Sequence, residues 1–180
     1  MACAITAGYV ITCNDAVGGI DAIYLISYSE IDQTGGVPTM TEASGVITSI
    51  DKSAGKRFWK FDIPTKSAAV ASSDPKGSPE NGTLFFEQKI EFPINKRDAT
   101  TRNIVTTMAK NRVIAVTIDK DGSYRMYGRY GGLFLDASTG STGSAPGDAN
   151  GYKLVFVGQE REDFFIVDSA TALALETPGV

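Results

Sequence analysis

The chain of 180 residues contains no histidine. That removes the commonest general base, the commonest zinc ligand and the usual triad partner of Ser or Cys. Cysteine is nearly absent too. Cys3 and Cys13 are too few for a disulfide framework, and they either face each other across a short hairpin or remain free thiols. No run approaches the roughly eighteen apolar residues of a membrane span. Met1-Ala2-Cys3-Ala4-Ile5 has neither the basic start nor the continuous apolar core of a secretory signal. Positive charge is not in excess either: a net charge of −4 and a pI near 4.9 have the wrong sign for a protein that grips phosphates through clustered Lys and Arg.

What is present points to strands. Nineteen glycines among many Ser and Thr residues favour turns and sheets over a helical bundle, and the length suits one domain over residues 1–180. The clearest block runs from Asn81 to Tyr127. Leu84, Phe86, Ile90, Phe92 and Ile94 alternate with Glu87, Lys89 and Glu91, which predicts one half-buried strand spanning roughly 36 Å at ~3.3 Å per residue, with Pro93 near its end. The period then changes. Asp98 suits a helix N-cap, Ile104, Val105, Met108 and Ala109 form a helical stripe, and Asn111 suits a stop, so a helix is expected over about 97–110. Val113 to Asp119, the Asp121-Gly122 turn and Ser123 to Tyr127 complete a hairpin.

Elsewhere the signals are shorter. Ala4 to Thr12 reads as a strand. Ile20 to Tyr28 is apolar on both faces, which suits either a strand covered on each side or one with a face against a partner subunit. Gly45 to Ile50 and Arg57 to Ile63 read as the two strands of a hairpin; within the second, Trp59 is either core or an interface anchor. Leu133 to Leu135, Tyr152 to Val157 and Phe164 to Val167 are further strands. Residues 64–82 and 137–151 read as mobile loops by their Ser, Gly and Pro content, and the weakly patterned tail 169–180 as a segment that stays disordered or adds to a neighbour.

No constellation carries chemistry. Glu87 and Glu91 share a strand face at roughly 13 Å along the strand, beyond the spacing of a glycosidase carboxylate pair, and Lys89 between them marks a solvated face. Asp119-Lys120-Asp121-Gly122 lacks the remaining ligands of a calcium loop and reads as a turn. Gly128-Arg129-Tyr130-Gly131-Gly132 lacks the Gly-Lys-Ser/Thr ending of a phosphate loop. No catalytic residue, cofactor or metal is expected.

The succession from Leu84 to Tyr127 is followed by Gly131-Gly132-Leu133-Phe134-Leu135, a Gly/Ser-rich loop and the stretch Asp148 to Glu160. Together these resemble tail tube and related virion proteins of tailed bacteriophages. The opening Cys13 to Ile20 with Ile23-Tyr24-Leu25 is similar to structural proteins of phages infecting Bacteroidota. The resemblance implies a β-sandwich or partly open barrel with one flanking helix and long loops. It also implies hexameric rings, joined sheet to sheet into a continuous inner barrel and stacked into a hollow conduit for genome delivery. On that reading the subunit is made in the host cytoplasm, resides in the virion tail, and has itself, other tail proteins such as a sheath, and passing DNA as partners, with no membrane. An acidic wall would let DNA slide without sticking. Ile20, Ile23, Leu25, Tyr28, Trp59, Glu87 and Glu91 are then the candidate assembly residues. Other tail, connector or head-decoration roles, a monomeric β-barrel holding a small apolar ligand, and, last, a carboxylate enzyme are the competing expectations.

Overall fold

A computed structural model describes residues 8–9, 17–64, 69–78, 80–145 and 147–179. The expected strand from Ala4 to Thr12, apart from Gly8 and Tyr9, lies outside these residues, as do Cys3 and Cys13. The described elements are β1 (Ile20–Ser27), a 3-10 turn (Tyr28–Glu30), β2 (Gln33–Thr34), β3 (Val37–Pro38), β4 (Met40–Ala43), β5 (Val46–Ile50), β6 (Trp59–Asp62), β7 (Val70–Ser78), β8 (Thr83–Asn95), α1 (Ala99–Met108), β9 (Val113–Asp119), β10 (Tyr124–Tyr127), β11 (Phe134–Ser141), β12 (Gly151–Glu160), β13 (Phe165–Val167) and α2 (Ser169–Leu173). The fold is mainly β and sandwich-like, and no barrel closes among the described residues. A seven-stranded sheet, ordered β4-β5-β13-β10-β9-β1-β6, faces a four-stranded sheet ordered β11-β12-β8-β7.

The block with the strongest periodicity folds as its pattern dictates. Along β8 the side chains of Gln88, Ile90 and Phe92 are buried while Lys89 is exposed, so one face of the strand carries the core. Asp98 caps α1 by accepting from the Thr101 N–H at 2.7 Å, and Val105 and Met108 turn the helix onto the sheets. The β9–β10 hairpin closes through Gly122, whose φ of +81° is the left-handed value this turn needs.

β1 lies between β6 and β9, inside the larger sheet. Ile20, Ile23 and Leu25 face the other sheet and pack with Ile90, Phe92 and Phe156. Tyr24, Ile26 and Tyr28 belong to a second apolar layer with Ile47, Phe58, Phe165 and Leu175 on the sheet's far side. One chain therefore covers both faces of its most apolar strand.

Four expectations are corrected. Residues 45–50 and 57–63 are not partners: β5 pairs with β4 and β13, and β6 pairs with β1. Apolar alternation announces a strand without naming its neighbour, and Phe58 is instead drawn into the second layer, its N–H bonded to the Leu175 carbonyl. Residues 64–82 are mostly strand, because β7 pairs with β8 from Val70 to Ser78. Its Pro75 is tolerated at a sheet edge, where a ladder N–H is not required. Residues 137–151 likewise begin as strand, β11 continuing to Ser141 against β12. The tail is folded as well: α2 is capped by Asp168, Leu175 is buried, and Gly179 bridges to Ala54.

Candidate assembly surfaces

Of the residues singled out for assembly, Ile20, Ile23, Leu25 and Tyr28 are all buried within the chain itself. They are corrected to core: an apolar strand covered on both faces by its own fold has no surface to offer a neighbour. Trp59 behaves otherwise. It is 57% exposed, with the Arg57 guanidinium 4.3 Å above its ring, which excludes the core reading.

Glu87 and Glu91 lie on the outward face of the four-stranded sheet. Glu91 is held by Lys153 at 2.6 Å and Lys89 at 3.4 Å, and the hydrogen bond from Lys153 is the leading reason its carboxyl sits below the ordinary range. Asp74, Glu87 and Glu91 share that face with Lys76, Lys89 and Lys153 by strand register. The face mixes both signs and is not an acidic wall.

The edges of this sheet are open among the described residues: β7 pairs with β8 alone and β11 with β12 alone. Three successive antiparallel pairings make β7 and β11 antiparallel to each other. Each carries a large apolar side chain in solvent, Val70 at 54% and Phe134 at 55% exposure. Register places both on the same outward face. Val70 is level with Glu91, Val155 and Ala137, while Phe134 is level with Val157, Lys89 and Ser72. Across the sheet they differ in height by two residues.

The larger sheet ends at β6. The Ile63 N–H bonds to the Asp21 carbonyl, so the close pairs along β6 are the alternate residues Phe61 and Trp59, and the backbone groups of Lys60 and Asp62 point away from β1. Beside this edge a groove of about 670 Å³ runs between β6 and α1. Leu25, Phe61 and Met108 form its apolar base, with Trp59 and Ile104 at the surface and Asn103 on the helix side.

Sequence reasoning missed the buried polar centre. Glu160, which falls between the strands expected over residues 152–157 and 164–167, is the last residue of β12 and only 3% exposed. Its carboxylate accepts from the N–H groups of Tyr130 at 2.9 Å, Gly131 at 2.8 Å and Gly132 at 3.2 Å. The glycine-rich segment thus does wrap an anion, the protein's own. Gly132 has φ +76° and an added Cβ would lie 3.0 Å from the Tyr28 ring, which explains glycine there. Burial pushes the Glu160 carboxyl above its ordinary range, against the downward pull of the three N–H groups. Buried Gln88 holds the same segment, its Oε1 accepting from the Gly128 N–H at 2.8 Å. The only signal for this centre was a glutamate closing an apolar alternation.

Comparison with known proteins finds no matching family model, no similar curated protein and no similar solved structure.

Proposed function

We propose that this chain is a structural subunit that assembles with copies of itself, in the manner of a phage tail tube protein whose rings stack into a conduit. The observation that carries the reading is the pair of open edges on the four-stranded sheet. β7 and β11 run antiparallel, so β7 of one copy and β11 of the next meet in the better-hydrogen-bonded arrangement and continue the sheet without reversing any strand. With no slip between copies, Val70 opposes the neighbour's Ala137, and Phe134 becomes its diagonal neighbour within cross-strand reach. Such a contact is head-to-tail and closes into a ring when the rotation per copy divides a full turn.

Hexameric rings, a place in the virion tail and the passage of DNA are the finer parts of this proposal and rest on the resemblance of the Leu84 to Tyr127 and Asp148 to Glu160 segments. Among the described residues the sheets do not close into the cup that a ligand-carrying β-barrel would use, which favours the assembly reading over that alternative.

Size-exclusion chromatography over a range of concentrations, followed by negative-stain microscopy, tests the reading. Rings or tubes are expected from the wild type and are lost in Phe134→Lys. A chain that stays monomeric at high concentration overturns the proposal.

A further inference from the structure

Two asparagines of the chain directly precede glycine, Asn81 and Asn150. In that dipeptide the glycine backbone nitrogen can attack the asparagine side-chain Cγ, because glycine has no Cβ to hinder the approach. The attack requires the peptide plane between the two residues to turn until its nitrogen faces Cγ. Whether a folded chain permits this depends on what holds the plane.

Asn150-Gly151 is held on both sides. The Asn150 carbonyl accepts from the Lys96 N–H at 2.7 Å, and Gly151 opens β12 between two partner strands, level with Asn95 of β8 and Ser141 of β11. Its surroundings are close as well. A Cβ built on Gly151 would lie 2.2 Å from the Ile94 carbonyl oxygen. Turning this plane therefore breaks backbone hydrogen bonds where three strands meet.

Asn81-Gly82 lies in the turn between β7 and β8, and both residues are exposed. The Asn81 N–H bonds to the Ser78 carbonyl at 3.1 Å, which anchors the residue on its N-terminal side. On the other side the Gly82 N–H has no backbone partner among the described residues, and a Cβ built on Gly82 would meet nothing within 4 Å. The plane turns here with a local motion of a hairpin tip, whereas at Asn150 it needs the opening of strand pairing.

We infer that Asn81 is a site of spontaneous deamidation in the folded protein, and that Asn150 is protected. The Gly82 nitrogen loses its proton and bonds to Cγ of Asn81, the Cγ–Nδ2 bond breaks, and the departing nitrogen takes up a proton and leaves as ammonia. The resulting five-membered succinimide then adds water. Cleavage of its nitrogen from Cγ gives aspartate, and cleavage from the main-chain carbonyl carbon gives isoaspartate, whose backbone is longer by a methylene. Either product adds a negative charge to the hairpin tip beside Glu80. The inference is independent of self-assembly.

Freshly purified chain is incubated at mildly alkaline pH, both folded and in urea. Its peptides are followed by mass spectrometry, and isoaspartate is scored by enzymatic methyl transfer. In the folded chain Asn81 converts at least about tenfold faster than Asn150, a ratio set by the difference in opening cost. In urea the two rates come within about twofold of each other, since neither plane is then held. Asn81→Gln removes the mass gain and the acidic shift of the folded protein. Asn81 is exposed, so the thermal melt of that variant stays at the wild-type value. A folded chain whose Asn81 stays intact overturns the inference, whatever the urea sample does. So does a folded chain in which Asn150 converts as fast as Asn81, because the fold would then select nothing. Neither result bears on assembly, which microscopy of the particles tests separately.

Discussion

Strand β1 and the edge strands β7 and β11 divide their apolar residues in opposite ways. β1 is apolar on both faces, and the chain covers both. β7 and β11 are rich in Ser, Thr and Gly, yet each leaves one large apolar side chain in solvent beside a backbone edge that is unpaired among the described residues. Hydrophobic density in this protein therefore marks its interior. Surfaces suited to a partner are thin in apolar residues and are recognised by free strand edges, which composition does not report.

The comparison breaks most plainly at Leu25. Leu25→Glu sets an unpaired carboxylate in the core, at a cost of about 3–5 kcal/mol out of the ~5–15 that a domain has in reserve. The expected outcome is insoluble or unfolded protein by near-ultraviolet circular dichroism, and a soluble, folded Leu25→Glu chain would show that β1 is not interior. Glu160 tests the polar part of the interior. Glu160→Ala leaves three backbone N–H groups without their acceptor, and urea melts should show a loss of about 3 kcal/mol. Glu160→Gln adds a pH signature. A carboxyl whose pKa rises on folding contributes most to stability when protonated. The wild-type advantage over Gln is therefore largest below about pH 4.3 and shrinks as pH rises through the folded-state value.

A smaller effect is expected at the surface of α1. Hydrogen bonds from Thr101, together with Lys96, lower the Asp98 carboxyl to about 2. Its contribution is thus present above about pH 4 and lost as pH falls from there toward 2, the opposite direction from Glu160. Asp98→Ala should lower the melting temperature at neutral pH and converge on the wild type in acid. Least of all should happen to stability at the sheet edge. Phe134→Lys changes unfolding free energy by no more than about 0.5 kcal/mol, yet it removes assembly by sedimentation velocity. A Phe134→Lys chain that unfolds would erase the distinction between edge and core.

The legible parts of the fold were those where one periodicity dominates. Leu84 to Tyr127 combines a period of two, a capped helix and an Asp-Gly turn, and each signal has one physical meaning. β7 was not legible as a strand, and of β11 only the start, within Leu133 to Leu135, was. Ser72, Ser73 and Pro75 carry no alternation, because β7 is specified by the ladder that β8 offers it and not by its own side chains. Trp59 was ambiguous because an aromatic at alternate spacing suits a core and a groove wall equally, and only the position of β6 at the end of the sheet decides. Glu160 was hidden for a related reason. Burial of a carboxylate depends on the turn that solvates it, and that turn lies about thirty residues away along the chain.

Gln88 and Glu160 belong to the four-stranded sheet, whereas the segment they hold, residues 128–132, leads directly out of β10 in the seven-stranded one. Apolar contact between two layers is non-directional, so it resists a glide of one layer over the other only through the fit of its side chains. Directional bonds to four particular amides do not tolerate such a glide, and these two side chains act as a detent between the layers. A shift of one layer against the other would therefore break hydrogen bonds to backbone amides as well as disturb packing.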